Sequence, residues 1–588
     1  MARRIFHRSK HYTTQLQTLG TMGYRDDDQT ITPSSIRHPH DRIEISSKNN
    51  PTIKVLSDES NISLCFYYFN NVLKLGFPKD EKLEVILSSI KRNAELQHKK
   101  EIIKQYYATG AKSIEKNTVK DIDVCLMQND CILDCNISNC EAWAQASTLC
   151  IGDVIYEVSF NTPTVKSLNL PDFLISGCVL RPHFILECAS QNDSIFTWYR
   201  SIPEDYGKSL LSNKNKEILL ENGKYWEKIH EGFVYFISTE DIGCFLKLIC
   251  TPMQNDRAGP DCSVESKTVV QAAPEFPFEE RQEHTKNFCD DESIQCLTYN
   301  VLAKMYVEEK KFPYASTKAR DHYYRKQVLL KELIGYNSDI ICLQEVEERL
   351  FERDLEPVLN LKGYSGYYTK KVEIDMKGLR HLYVPPNSKL KEIMIKVSAN
   401  IKDLNKLLAQ NTVLQLLIVE HSHLPGTELL IANTHLYSNK DNPEVRLLQA
   451  AVCVYFIEYI IKSKGYQNPG VIFCGDFNSL PDSTTYNFLM SGKYECCGSW
   501  NKDPNGKNTM LEHNLNLDSA CGTPEYTNYT ASFTGCLDYI FYNKDILKVT
   551  DVVPMPRHEH VIAQVGLPSE YFPSDHIPLI CRFQWKKS

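Results

Sequence analysis

Between Ser293 and Trp585 the chain carries six short stretches, SIQCLTYNVLA, DIICLQEV, LLIANTHL, GVIFCGDFN, LDYIFYN and HIPLICRFQW, that are close to unbroken apolar runs. A strand with one face in water alternates apolar and polar residues, whereas a strand covered on both faces has no polar side to alternate with. Helical stretches at Arg325 to Ile334 and Val445 to Lys462 separate the runs. The combination predicts an α/β domain in which helices cover the sheets. Polar residues collect at the strand ends, where ligand sites of layered α/β folds lie.

Upstream, residues 51–272 have a different texture. Short alternating runs such as LCFYYF, GDVIYEVSF, HFILEC, GFVYFIS and GCFLKLIC, set between turn-rich stretches, predict a mostly β, sandwich-like domain. One charged helix is expected over Glu81 to Gln105. The segment AAPEFPFEERQEHTK, with two prolines and many charges, marks 273–289 as a linker to a second domain at 290–588. No internal repeat is evident.

The first 28 residues carry Arg3, Arg4, Arg8, Lys10 and Arg25, many hydroxyl residues and no acid before Asp26. Such a composition fits a mitochondrial presequence, and equally a basic tail on a cytoplasmic protein. With 66 basic and 74 acidic residues the net charge is −8, so a nucleic-acid substrate needs a local basic groove or a bound cation. The 21 cysteines form no CxxC pair and are odd in number, which suits reduced thiols in an intracellular compartment. The spacing of Cys125, Cys131, Cys135 and Cys140 matches no common zinc pattern. The longest apolar helical run, Ala450 to Ile461, is interrupted by Glu458, so no membrane insertion is expected.

The strand-end residues are Asn300, Glu345, His435, Asp476 with Asn478, Asp538, and Asp575 with His576. Any one of them reads most simply as a turn or cap residue. Together, carboxylates and amides without a thiolate or histidine cluster make a hard oxygen site suited to Mg²⁺ or Mn²⁺. A cation there would offset the phosphate charge that a net-acidic chain repels. Asp476 and Asn478 are two apart, so an extended segment would turn both toward one substrate.

The ordered series TYNVLA, LQEV, NTHLY, GDFNS, LDYIF and SDHIPL resembles the endonuclease/exonuclease/phosphatase superfamily, in the branch of the poly(A)-shortening nucleases. The resemblance implies a four-layered α/β sandwich with two central sheets, and metal-dependent phosphodiester hydrolysis on adenosine-rich RNA or 2',5'-linked oligoadenylate. It implies Glu345, Asn300 and Asp575 as residues that hold the metal, with Asp476 orienting or deprotonating the attacking water. Asn478 would hold a phosphate oxygen or a second metal, His435 would be a further phosphate contact, and His576, steered by Asp538, would contact the scissile phosphate. In EYTNYTASFTG the pattern implies Asn528 as a contact to sugar or base and Phe533 as a ring for stacking adenine. The remaining resemblance, to a mitochondrial enzyme, adds the matrix to the expectation; protein partners are not implied.

One departure stands out. After the LQEV region, where the family has a glycine-led apolar strand, this chain reads MKGLRHLYVPPNSKL, with Arg380, His381 and Pro385-Pro386 breaking the alternation. That strand is expected to be shortened or replaced. Three rival functions follow: a cytoplasmic poly(A) deadenylase, an inositol-phosphate phosphatase of the same superfamily, and a catalytically silent RNA-binding protein.

Overall fold

Every residue of Ser293–Asn300 and of Gly470–Asp476 is buried, the outcome that unbroken apolar runs require. The computed structural model describes residues 2–8, 12–18, 51–69, 71–109, 122–210, 216–287, 292–369, 412–421, 427–496 and 509–586. The α/β part of the chain contains two six-stranded sheets. In chain order their strands are β1 (Ala2–Arg8), β2 (Tyr12–Thr18), β3 (Ser293–Asn300), β4 (Ile340–Val346), β5 (Tyr364–Thr369), β6 (Leu414–His421), β7 (Glu428–His435), β8 (Gly470–Asp476), β9 (Leu517–Ser519), β10 (Asp538–Asn543), β11 (Leu547–Val552) and β12 (Leu579–Trp585). The first sheet runs β5-β1-β4-β3-β12-β11 and the second β2-β6-β7-β8-β10-β9.

Each sheet has one parallel pair, β3 with β4 and β7 with β8, each joined by a crossover helix. These helices are α1 (His322–Gly335) and α2 (Pro443–Lys464). Asp321 caps α1 by accepting from the Tyr323 and Tyr324 amides. Proline opens the first turn of α2, and Gly465, at φ 72°, closes it in the left-handed conformation that suits glycine. Ile294, Cys296, Ile340 and Cys342 of the first sheet meet Leu417, Ile431, Ile472 and Cys474 of the second in a dry seam. Helix α2 with α3 (Thr484–Ser491) covers the outside of one sheet, and α1 the outside of the other. This is the four-layered sandwich expected of the sequence. Among the described residues no helix is long and apolar enough to cross a membrane.

The β-rich upstream region is confirmed as β-rich, and it contains two cores rather than one. Residues 51–160 build a seven-stranded sheet packed with the helix Leu83–Thr109 around Trp143. Residues 164–271 contribute a further, six-stranded sheet around Trp198 and Leu248.

The expected linker at 273–289 is corrected by the structure. Phe278 is 0% exposed and Arg281 2% exposed, within and beside the helix Pro277–Gln282. The Arg281 guanidinium donates to the carbonyls of Pro554 and Pro578, each at 2.8 Å, and to the Tyr336 hydroxyl at 3.0 Å. Prolines and charges mimicked a solvated spacer, but the aromatic residues between them wedge into the core of the α/β domain. Within the expected presequence at 1–28, residues 2–8 and 12–18 are β1 and β2, paired in the two six-stranded sheets. The divergent MKGLRHLYVPPNSKL stretch lies outside the described residues.

Candidate active site

Both crossover units end their strands at one rim, so four of the singled-out residues arrive together by topology alone. Asn300 ends β3, and Glu345 sits one residue before the end of β4. His435 ends β7 in register with Asp476 at the end of β8, which in turn pairs with Asp538 at the start of β10. The Asn300 side-chain amide bridges the two sheets, donating to Asp476 Oδ2 at 3.0 Å and to Glu345 Oε1 at 3.3 Å. Glu345 Oε2 accepts from the Ala303 amide at 3.0 Å. The Glu345 backbone is left-handed, φ 61°, a conformation that a non-glycine residue holds only where its surroundings impose it. Burial pushes its carboxyl up to about 7, the Asp575 charge adding to the rise while the Ala303 amide opposes it.

On the facing sheet, Asp476 Oδ2 lies 3.5 Å from His435 Nε2 and 3.8 Å from His576 Nε2. The other ring nitrogen of His576 is 2.7 Å from Asp538 Oδ2, which also accepts from the Thr527 hydroxyl at 2.6 Å. Burial works against charge on His576, but Asp538, Asp575 and Asp476 outweigh it and hold the imidazolium well above the ordinary histidine range. Asp538 therefore fixes both the orientation and the charge of the ring.

Asn478 departs from the extended geometry expected of it. Strand β8 ends at Asp476, and Asn478 has φ 47°, so the two side chains are not aligned by pleat. Its backbone amide donates to Asp476 Oδ1 at 2.9 Å, and its side-chain amide to the Leu436 carbonyl at 3.1 Å. Asn478 thereby holds Asp476 and the loop after His435.

Asp575 Oδ2 accepts from the Asn528 amide at 3.2 Å, and a β-bridge pairs Asn528 with His576. Five residues beyond Asn528, Phe533 is 40% exposed, not packed in the core. Its turn is closed by the Thr530 hydroxyl, which accepts from the Phe533 amide at 3.0 Å. The ring lies close over Gly535, where a Cβ would sit 3.0 Å from its tip and 2.7 Å from Leu480.

The donor set fits a hard divalent cation. Ligand atoms of Asp476, Asp538 and His576 all lie within 4.8 Å of one another, and Asp538 Oδ1 is buried without a hydrogen-bond partner. The expected ligands Glu345 and Asn300 adjoin this cluster, the Asn300 side-chain amide donating to both Asp476 and Glu345.

Several working residues escaped the sequence reading. Arg325 on α1 donates to the carbonyls of Pro573 at 2.6 Å, Val301 at 3.0 Å and Leu302 at 2.7 Å, tying the Asn300 loop to the Asp575 loop. The Ser574 hydroxyl donates to the Asn300 carbonyl at 2.6 Å. Below the rim, Gln344 donates to Asn433 Oδ1 at 2.9 Å and Asn433 to the Leu343 carbonyl at 3.0 Å, a polar tie between the sheets. The only sequence signal for this tie was a buried amide inside each of the LQEV and NTHLY motifs. Arg446, which the sequence leaves outside the site, donates to the Asn439 carbonyl at 2.5 Å and supports the loop after His435.

Residues 297–576 match the model of the Endonuclease/Exonuclease/phosphatase family, and residues 162–271 that of the 2',5'-phosphodiesterase 12-like N-terminal domain. The Mus musculus protein named 2',5'-phosphodiesterase 12 is 31% identical over 588 residues, covering 92% of this chain and 95% of that protein. Its Homo sapiens counterpart is 35% identical over 484 residues, covering 77% and 78%. The Ccr4 3'-5'-exoribonuclease subunit of the CCR4-Not complex from Saccharomyces cerevisiae is 29% identical, covering 54% of this chain and 42% of that protein. With both domain models matched in order and the similarity running through most of its length, the chain belongs to the 2',5'-phosphodiesterase 12 family and is a hydrolase of the endonuclease/exonuclease/phosphatase fold.

Proposed function

We propose that the chain hydrolyses the phosphodiester bonds of adenosine-rich RNA and 2',5'-linked oligoadenylate from a free 3' or 2' end, releasing 5'-AMP with Mg²⁺ as the preferred cation. The observation that carries this reading is the meeting of Asp476, the Asp538–His576 pair and Glu345 at one rim, with an exposed aromatic ring beside it. Asp476 Oδ2 positions the attacking water and takes its proton, close to His435. His576, kept cationic by Asp538, donates to a phosphate oxygen as negative charge builds there. His435 is placed to do the same from the second sheet. Glu345, Asn300 and Asp575 would hold a divalent cation, which would supply neutralisation of the phosphate charge. Phe533 offers a face to adenine, and Asn528 an amide to the adjoining sugar or base edge.

The names of the relatives, spanning 2',5'-phosphodiesterase and 3'-5'-exoribonuclease, support both linkages. Mitochondrial residence is proposed from the basic, acid-free leader together with the resemblance to a mitochondrial enzyme, and a reporter fused to residues 1–28 tests it. The decisive experiment offers purified full-length protein matched 2',5' and 3',5' oligoadenylates and an inositol phosphate, with Mg²⁺, with Mn²⁺ and with chelator. AMP release that requires the metal is expected. Phosphate release from the inositol ester alone, or binding without turnover under every condition, overturns the proposal.

A further inference from the structure

We propose that residues 2–18 are a working part of the catalytic domain, an arch of two strands that holds the Glu345 strand in place, and that the active enzyme retains them. Strand β1 is an inner strand. On one side it pairs with β4, from His7 against Ile340 to Ala2 against Val346; on the other it pairs with β5, from Arg8 against Tyr364 to Arg3 against Thr369. Without it, β4 and β5 would face each other across the width of a missing strand, roughly 10 Å, with the inward backbone groups of both unpaired. The β1–β4 ladder brackets Glu345, since its last two pairs are Arg4 with Leu343 and Ala2 with Val346, with a register shift between them. The left-handed Glu345 backbone thus sits where β1 closes over the end of β4. Such a conformation persists only when its neighbours impose it.

In the second sheet β2 pairs with β6 along its whole length, from Tyr12 against His421 to Thr18 against Gln415. Strand β6 pairs in turn with β7, which ends at His435. One arch therefore braces the strand of Glu345 directly and the strand of His435 through one neighbour. The leader reading and the strand reading make opposite predictions, because removal of residues 1–28 would take both strands with it.

The inference rests on the site reading proposed above, and its test separates the two. Deleting residues 2–18 from the full chain is expected to lower oligoadenylate turnover by roughly 100-fold, the scale of a 1 Å misplacement of a reacting group. The Mg²⁺ concentration for half-maximal rate rises with it. A synthetic peptide of residues 2–18 restores turnover in trans, and the same peptide carrying Ile5→Pro does not. A deletion variant with the melting temperature and turnover of the full chain overturns the proposal. If the deleted protein does not fold, a specific protease sequence inserted between residues 29 and 49 is cut after folding. The released fragment is expected to co-elute with the remainder on gel filtration, with activity retained. Dissociation of the fragment without change in melting temperature or activity overturns the proposal. If the intact chain turns over no oligoadenylate, the functional reading fails, and co-elution with the melting temperature still decides the strands.

Discussion

Arg325→Met removes three hydrogen bonds and leaves a side chain of adequate length to fill the space. In the native protein the buried guanidinium, pulled down to about 10 by desolvation yet still cationic at neutral pH, joins the carbonyls of Val301 and Leu302 to that of Pro573. Methionine offers no donor, so three carbonyls in a dry interior lose their partner. Each costs ~1–3 kcal/mol, partly offset because a buried cation no longer has to be desolvated, and a net loss of about 4 kcal/mol follows. At ~2–4 °C per kcal/mol for a domain of this size, the catalytic half should melt roughly 10 °C lower. The second consequence is specific to the site. The Asn300 loop and the Asp575 loop lose their common anchor, so the half-saturating Mg²⁺ concentration should rise even below the melting transition. Scanning calorimetry paired with Mg²⁺ titration of turnover on oligoadenylate measures both. A melting temperature within about 2 °C of the parent, together with an unchanged Mg²⁺ titration, would refute the reasoning, because it would mean that the three carbonyls are satisfied without Arg325.

Asp476→Asn should keep oligoadenylate binding and reduce the single-turnover rate by ~10²–10⁴, since the shape survives and the proton acceptor does not. Collapse of binding with the rate at saturation intact would make Asp476 a binding residue. Glu345→Ala should leave a folded protein that needs far more Mg²⁺; parent-like turnover at limiting Mg²⁺ would remove it from the metal set. Phe533→Ala should weaken adenylate substrates by ~1–3 kcal/mol with little change in melting, because the ring is exposed. An unchanged preference for adenine over uracil would take Phe533 out of the site. Glu332 is pushed up to about 7 by burial, with Arg281 opposing, so the folded chain holds an extra proton between its ordinary 4.5 and about 7. Its contribution, about 3 kcal/mol, is full below the lower value and lost as pH rises through the upper one. Glu332→Gln should flatten the fall in melting temperature between about pH 4.5 and 7, and an unaltered slope in that variant would show that another group titrates there.

The amino-acid sequence by itself determined the layered catalytic domain and most of its rim. Residues buried on both faces must be apolar, and residues that handle phosphate must be polar, so Asn300, Glu345, His435 and Asp476 stand out where apolar runs stop. The β texture of residues 51–272 was legible for the same reason, from the pleat's two-residue period. Asn478 was read correctly as polar and wrongly as aligned with Asp476, because a left-handed residue two positions on leaves no mark in strand periodicity. Tertiary structure alone decided the rest. It drew Arg281 and Arg325 inward onto carbonyls that lie hundreds of residues away in the chain, where composition placed charged residues in water. It divided the β-rich region into two cores, and it turned a proline-marked linker into a buried wedge. It also seated a basic N-terminal stretch between β4 and β5. Local propensity records which residues can form a strand; which strands become neighbours depends on the unpaired backbone and apolar surface that the rest of the fold leaves open, and that information is held only in the assembled sheets.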